Sequence, residues 1–132
     1  MIIIACVDQN NGMMFHNRRQ SQDRNVRKKI LQMIEGKGLW MNEYSYSQFK
    51  EEKGKIFVDD NFLERAPEGE YCFVESNQIP EEKTEKLVLF RWNKKYPSDF
   101  RLNINLEHWK LKSSLEFVGY SHEKIMKEEY EK

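Results

Sequence analysis

The first eight residues, Met1 to Asp8, form an almost unbroken apolar run (MIIIACV) that stops at a carboxylate. A strand with one wet face alternates polar and apolar side chains. A run that is apolar at every position therefore predicts a strand covered on both faces, in the middle of a sheet. Asp8 and the loop Gln9-Asn10-Asn11-Gly12 follow its carboxyl end. Open α/β sheets bind their ligands at that end.

Short apolar runs recur at Leu39-Trp40-Met41, Ile56-Phe57-Val58, Tyr71 to Val74 and Lys86 to Trp92. These predict further strands, with helical patterns between the first of them. Asp23 is placed to cap a helix running to about Glu35, with Val26, Ile30, Met33 and Ile34 on one face and Arg24, Arg27 and Lys28 off it. Gly36 and Gly38 end that helix. Ser45 is placed to cap a second helix through about Glu52, with Tyr46 and Phe49 turned inward and Gly54 closing it. One or two helical turns from Phe62 to Ala66 precede the breakers Pro67 and Gly69. Trp109 to Val118 and Ser121 to Tyr130 flank Gly119-Tyr120 and read as an antiparallel hairpin, although Lys124 to Glu131 also holds good helix formers. The expected architecture is α/β: a mostly parallel central sheet with flanking helices and a C-terminal antiparallel hairpin, in a single domain.

A chain of 132 residues buries roughly two-thirds of its unfolded surface and needs no disulfide or metal to hold it. Lys plus Arg and Asp plus Glu number 22 each, so net charge offers no general attraction to nucleic acid or to an anionic membrane. Cys6 and Cys72 sit inside strand-like runs and read as small buried hydrophobes in a reduced compartment, which points to the cytoplasm. The N-terminal run lacks a basic flank and a cleavage site and is too short to span a bilayer; it reads as a strand, and no membrane association is expected. His16, His108 and His122 stand apart in the sequence, without metal-binding spacing, and read as isolated surface residues. No GxSxG elbow, P-loop or GxGxxG occurs.

Four segments follow one another along the chain: IIIACVDQNNGMM, LWMNEYSYSQF, YCFVESNQIP with EKLVLFRWN, and SDFRLNINLEHWKL. In this order they resemble a shortened dihydrofolate reductase: its first strand and mobile substrate loop, its strand-to-helix turn of the type VIMGRHTWESI, its late strand with a glycine turn and the strand after it, and the segment before its last hairpin. The resemblance implies a cofactor cleft whose phosphate contacts have changed. The family's Gly-Arg turn is Asn42-Glu43 here, the end of its third strand is Asp59-Asp60 in place of Ser or Arg, and its Gly-Gly pair is Glu75-Ser76. Carboxylates close to a phosphate repel it by about 1 kcal/mol each in water and by more in a cleft. NADPH is therefore not expected, and no other cofactor is predicted.

On the substrate side the family's Trp is absent, and its Gly after Ile is Phe15. The family's catalytic acid falls on Asp23 or on neutral Asn25, depending on register. Asp23 is thus a candidate catalytic acid as well as a helix cap. Cys6, Asp8, Met13, Phe15, Glu43, Ser45, Asp59 and Glu75 are candidate ligand-cleft residues.

Two charged clusters complete the expectation. Arg18, Arg19, Arg24, Arg27 and Lys28 gather around the start of the first helix, where a protein or polyanion partner could dock. Asp8, Asp59 and Glu75 follow strand ends and could converge on a hard divalent cation. The resulting reading is a cytoplasmic dihydrofolate reductase-like protein without its cofactor motifs, serving as a binding or accessory module rather than a reductase. The rival is an enzyme on the same scaffold, either a divergent reductase or a metal-dependent phosphodiesterase or ribonuclease using the acidic rim.

Overall fold

The computed structural model describes residues 1–132. In chain order the elements are β1 (Ile2–Val7), β2 (Gly12–Phe15), β3 (Arg18–Arg19), α1 (Arg24–Ile34), β4 (Leu39–Met41), α2 (Glu43–Phe49), β5 (Ile56–Val58), α3 (Phe62–Arg65), β6 (Tyr71–Phe73), β7 (Lys86–Arg91), β8 (Phe100–Arg101), β9 (Lys110–Phe117) and β10 (Ile125–Glu131). Seven strands form one sheet in the order β5-β4-β6-β1-β7-β10-β9. The pairs from β5 through β7 are parallel, and β10 adds antiparallel to β7 and β9 to β10. No helix is long and apolar enough to cross a membrane.

Both faces of β1 are covered. Ile3, Ala5 and Val7 point into one core with Cys72, Val74, Leu87 and Leu89, closed by Phe62 of α3 and by Met13 and Met14 of β2. Ile4 points into the other with Phe73, Val88 and Phe90, under Val26, Ile30 and Ile34 of α1 and Phe49 of α2. Every second residue of the run enters the same core, so the unbroken apolar sequence follows from cover on both faces, by α1 and α2 on one and by α3 and β2 on the other.

Asp23 caps α1, its carboxylate accepting from the Asn25 amide at 2.8 Å. The helix ends in a left-handed Glu35 (φ 48°) followed by Gly36 at φ 85°, where the missing Cβ avoids a steric penalty. The second helix departs from its expected bounds. Asn42, not Ser45, is the N-cap, and the helix closes at Phe49 instead of Glu52. The Asn42 side chain accepts from the Ser45 amide at 2.9 Å, so Ser45 lies one turn inside the helix and is fully buried. The hairpin of β9 and β10 forms as expected; β8 with β2 and β3 makes a second, antiparallel sheet of three strands that the sequence did not announce. Two of those strands are two residues long, too short for any period to show.

Asp8 ends β1 fully buried. One carboxylate oxygen accepts from the amides of Asn10 and Gly12, both at 2.8 Å. The other accepts from the Tyr96 amide and the Gln20 side chain, both at 3.1 Å. Burial opposes the charge, but the amides of Gly12, Tyr96 and Asn10 and the Gln20 side chain outweigh it and hold the group below its ordinary pKa. A carboxylate favoured in the folded state contributes stability above the unfolded pKa, about 3.9, and loses it as pH falls through the folded value. Asp8→Asn should therefore cost roughly 2 kcal/mol at neutral pH, since an amide group would face two of the four donors. It should also reduce the loss of stability below about pH 4. Urea unfolding at pH 7 and in the acid range measures both.

Candidate functional site

The parallel strands place their carboxyl ends on one edge of the sheet, so Asp8, Asn42, Asp59 and Glu75 lie along it in the spatial order set by β5-β4-β6-β1. Their side chains do not converge. Asp8 is consumed by its own loops, and Asp59 caps the amide of Asn61 at 2.8 Å and pairs with Arg65 at 3.4 Å. Glu75 turns to α2. No three acidic, histidine or cysteine side chains are gathered to hold a metal ion. The expected metal set of Asp8, Asp59 and Glu75 is corrected on this point: shared strand direction aligned the residues, but each carboxylate found a nearer donor.

Arg19 and Glu75 form the centre of the edge. Their side chains are 16% and 6% exposed and meet at 2.8 Å, with a second contact at 3.1 Å that makes the pair bidentate. Gln48 of α2 donates to the same carboxylate at 3.0 Å. The guanidinium also reaches the Tyr44 carbonyl at 3.0 Å and lies over the Tyr44 ring, 4.4 Å from its centroid. The Arg19 amide donates to the Tyr44 hydroxyl at 2.7 Å. Burial works against the cation, but Glu75 more than compensates, and the Arg19 pKa is raised. β3, α2 and the end of β6 are thereby clamped together. Cys6, half-buried beneath this clamp on the α1 and α2 side, has its thiol pushed up by burial and then by the Glu75 charge. It is a protonated, unreactive thiol at neutral pH. Cys72 is fully buried and likewise pushed up, to about 12.

The remaining expected cleft residues scatter. Met13 is buried in the core on the opposite face of the sheet from Cys6. Phe15 is 36% exposed and stacks on His16 with centroids 3.9 Å apart, so it fills no inner pocket. Glu43 is exposed and gives its amide to Asp60 at 3.1 Å. The Ser45 hydroxyl is buried without a hydrogen-bond partner.

The basic cluster is also divided. Arg19 is locked to Glu75, and Arg27 is paired with Glu52 at 3.1 Å. Arg24 lies over the Tyr120 ring at 4.5 Å, and Arg18 projects from the small sheet. Arg24, Arg27 and Lys28 remain neighbours along an open groove of about 530 Å³ between α1 and α2, which also holds Lys50, Glu51 and Glu52.

Asp23 faces away from the clamp, toward the β9–β10 turn. Beyond capping α1 it accepts from the amides of Tyr120 and Ser121, both at 2.9 Å, and from His122 Nδ1 at 2.8 Å. Burial would raise its pKa, but these donors, led by the Tyr120 amide, hold the group well below the carboxylate range. A carboxyl group so satisfied stays ionised at neutral pH and is unsuited to donating a proton to a substrate. His122 is not an isolated surface residue: its side chain is 7% exposed and stacks on Trp92 with centroids 4.6 Å apart. It lies 99 positions from Asp23, which is why no local motif announces the pair.

No protein-family model and no curated protein matches the sequence. Among solved structures, the chain is similar to the dihydrofolate reductase of Enterococcus faecalis complexed with NADP(H) and RAB-propyl, with a TM-score of 0.67 at 10% identity over 98% of this chain and 94% of that one. The chain has a dihydrofolate reductase-like fold. At that identity the likeness carries the architecture alone, and function has to be argued from the residues at the edge.

Removing one member of the clamp leaves a buried, uncompensated charge. Arg19→Ala should destabilise the protein by about 3 kcal/mol, whereas the double change of Arg19→Met with Glu75→Met should cost far less or stabilise it. Chemical denaturation of the two variants beside the wild type checks the contrast.

Proposed function

We propose that this protein is a binding module on a dihydrofolate reductase-like scaffold that neither binds NADPH nor reduces dihydrofolate. The observation that carries the reading is the buried Glu75–Arg19 pair, which occupies the position that the family resemblance gives to the glycine pair approaching the cofactor pyrophosphate. A phosphate there would face a carboxylate, and displacing it would break a buried ion pair. The start of α2 supports the same conclusion. Its Glu43 amide is taken by Asp60 and its Ser45 amide by Asn42, so N–H groups that would meet an anion serve the protein's own side chains. The residues present do not fit the cofactor.

What remains on this edge is an open groove of about 340 Å³ bordered by Asp60, Asn61, Glu64, Asn77 and Lys83. Its lining suits a polar ligand and disfavours a polyphosphate. Titration of NADPH with nucleotide fluorescence, and of dihydrofolate with absorbance for turnover, should give neither saturation nor a steady rate at micromolar protein. Micromolar binding or sustained turnover overturns the reading.

A second reading rests on the groove between α1 and α2, where Arg24, Arg27, Lys28 and Lys50 outnumber Glu51 and Glu52. It would accept a polyanion such as single-stranded RNA. In that case affinity for an RNA oligonucleotide should fall steeply with salt, and Arg24→Glu with Lys28→Glu should abolish it, because counterion release dominates such contacts. Fluorescence anisotropy across a salt series tests it, and a flat response dismisses it.

A further inference from the structure

Three side chains brought together from opposite ends of the chain share one line of hydrogen bonds. His122 Nδ1 lies 2.8 Å from an Asp23 carboxylate oxygen, and His122 Nε2 lies 2.8 Å from Ser21 Oγ. We propose that Ser21, His122 and Asp23 form a nucleophilic triad that hydrolyses acyl esters. Such a triad is defined by roles and geometry, not by chain order or fold.

Each role has its structural basis. The Asp23 side chain has no exposed surface, and four further donors hold it: the amides of Asn25, Tyr120 and Ser121 and the Ser121 hydroxyl. It is thus a fixed anion able to set the imidazole tautomer with the proton on Nδ1 and to stabilise the imidazolium. Stacking on Trp92 fixes the plane of the ring, which leaves Nε2 as the base and Ser21 as the hydroxyl it faces. Gly119 makes this approach possible, because a Cβ there would stand 2.7 Å from the Asp23 carboxylate. Ser21 is partly exposed, in the loop before α1. The backbone N–H groups of Ser21 and of Gln22 donate to no other residue's carbonyl, so the amide following the nucleophile is free to face an oxyanion. His122 also borders an open groove of about 680 Å³ with Trp92, Lys94, Ser121 and Lys124.

The steps close on themselves. Ser21 Oγ adds to the ester carbonyl carbon while its proton passes to His122 Nε2. The bond from that carbon to the alkoxy oxygen then breaks, the departing alcohol takes the proton, and Ser21 carries the acyl group. Water adds to the acyl carbon, giving its proton to Nε2; the bond to Ser21 Oγ breaks and the proton returns to that oxygen. One ester and one water become one acid and one alcohol.

The test uses the full chain with a fluorophosphonate probe and with p-nitrophenyl acetate, and adducts are located by peptide mass spectrometry. The expected result is a single adduct on Ser21, formed at least ~100-fold faster in the folded than in the urea-unfolded protein, and ester hydrolysis that Ser21→Ala and His122→Gln each reduce by about 100-fold or more. Labelling of the folded wild-type protein on Ser21, and not on Ser121, keeps the test decisive if His122→Gln does not fold, and a purely structural hydrogen bond would not produce it. No adduct on Ser21, an adduct on Ser121 instead, or labelling no faster than in the unfolded chain overturns the proposal.

Discussion

Burial of β1 on both faces and pairing on both edges leaves its carboxyl end as the place where polar groups can meet the strand, and Asp8 stands there. Its four accepted hydrogen bonds come from three separate stretches of chain: the turn after β1, the segment after β3 and the loop after β7. The Asp8 carbonyl adds Arg91 of β7 at 2.8 Å. Arg91 in turn is paired with Glu128 of β10 at 3.0 Å. A single polar node thus ties the central strand to the antiparallel edge. The cost of burying Asp8 is offset because every lone-pair direction is used by a donor, most of them backbone amides that would otherwise lack partners.

The same economy of partners governs the rest of the edge. In an α/β sheet that binds phosphates, strand ends and helix starts present free N–H groups and small residues. Here side chains are supplied where such a sheet would leave room. Asn42 and Asp60 satisfy the start of α2, and Asn42 also donates to Ser76 at 3.3 Å and to Asn77 at 3.2 Å. Arg19 fills the space between β3, α2 and Glu75. Donors paired in this way hold the strand ends and the start of α2 rigidly against one another.

A feature of this fold is legible in the sequence where its signal is local. The apolar run of β1, the caps of α1 and the three short strands at Leu39, Ile56 and Tyr71 are written in consecutive residues, and they appear where expected. The start of α2 was misplaced because Asn42 and Ser45 are both good cap residues one turn apart, and only packing decides which is inside. Acidic residues at strand ends were correctly set on one edge but not correctly joined, because strand direction fixes where a Cα lies and not which donor its carboxylate meets. The small sheet and the His122 pair were not legible at all. The β2–β8 pairing and the Asp23–His122 contact join partners far apart in the chain, and in the local β2–β3 pairing Arg18-Arg19 carry charge where a longer strand would have carried a pattern.

Asp23 shows how one residue can satisfy several of these levels at once. As an N-cap it needs only an oxygen near the second amide of the helix, and Asn or Ser would serve almost as well. The additional donors of the β9–β10 turn change that requirement. Amides from two successive turn residues and an imidazole N–H converge on a group with no solvent contact, and only an ionised carboxylate accepts all of them without leaving a lone N–H facing another. Gly119 is then constrained in turn, since any side chain would enter the space the carboxylate occupies. The start of α1 and the far hairpin are therefore specified together. The residue that begins the first helix is chosen by a loop almost a hundred positions away, and the helix cap alone does not account for the negative charge.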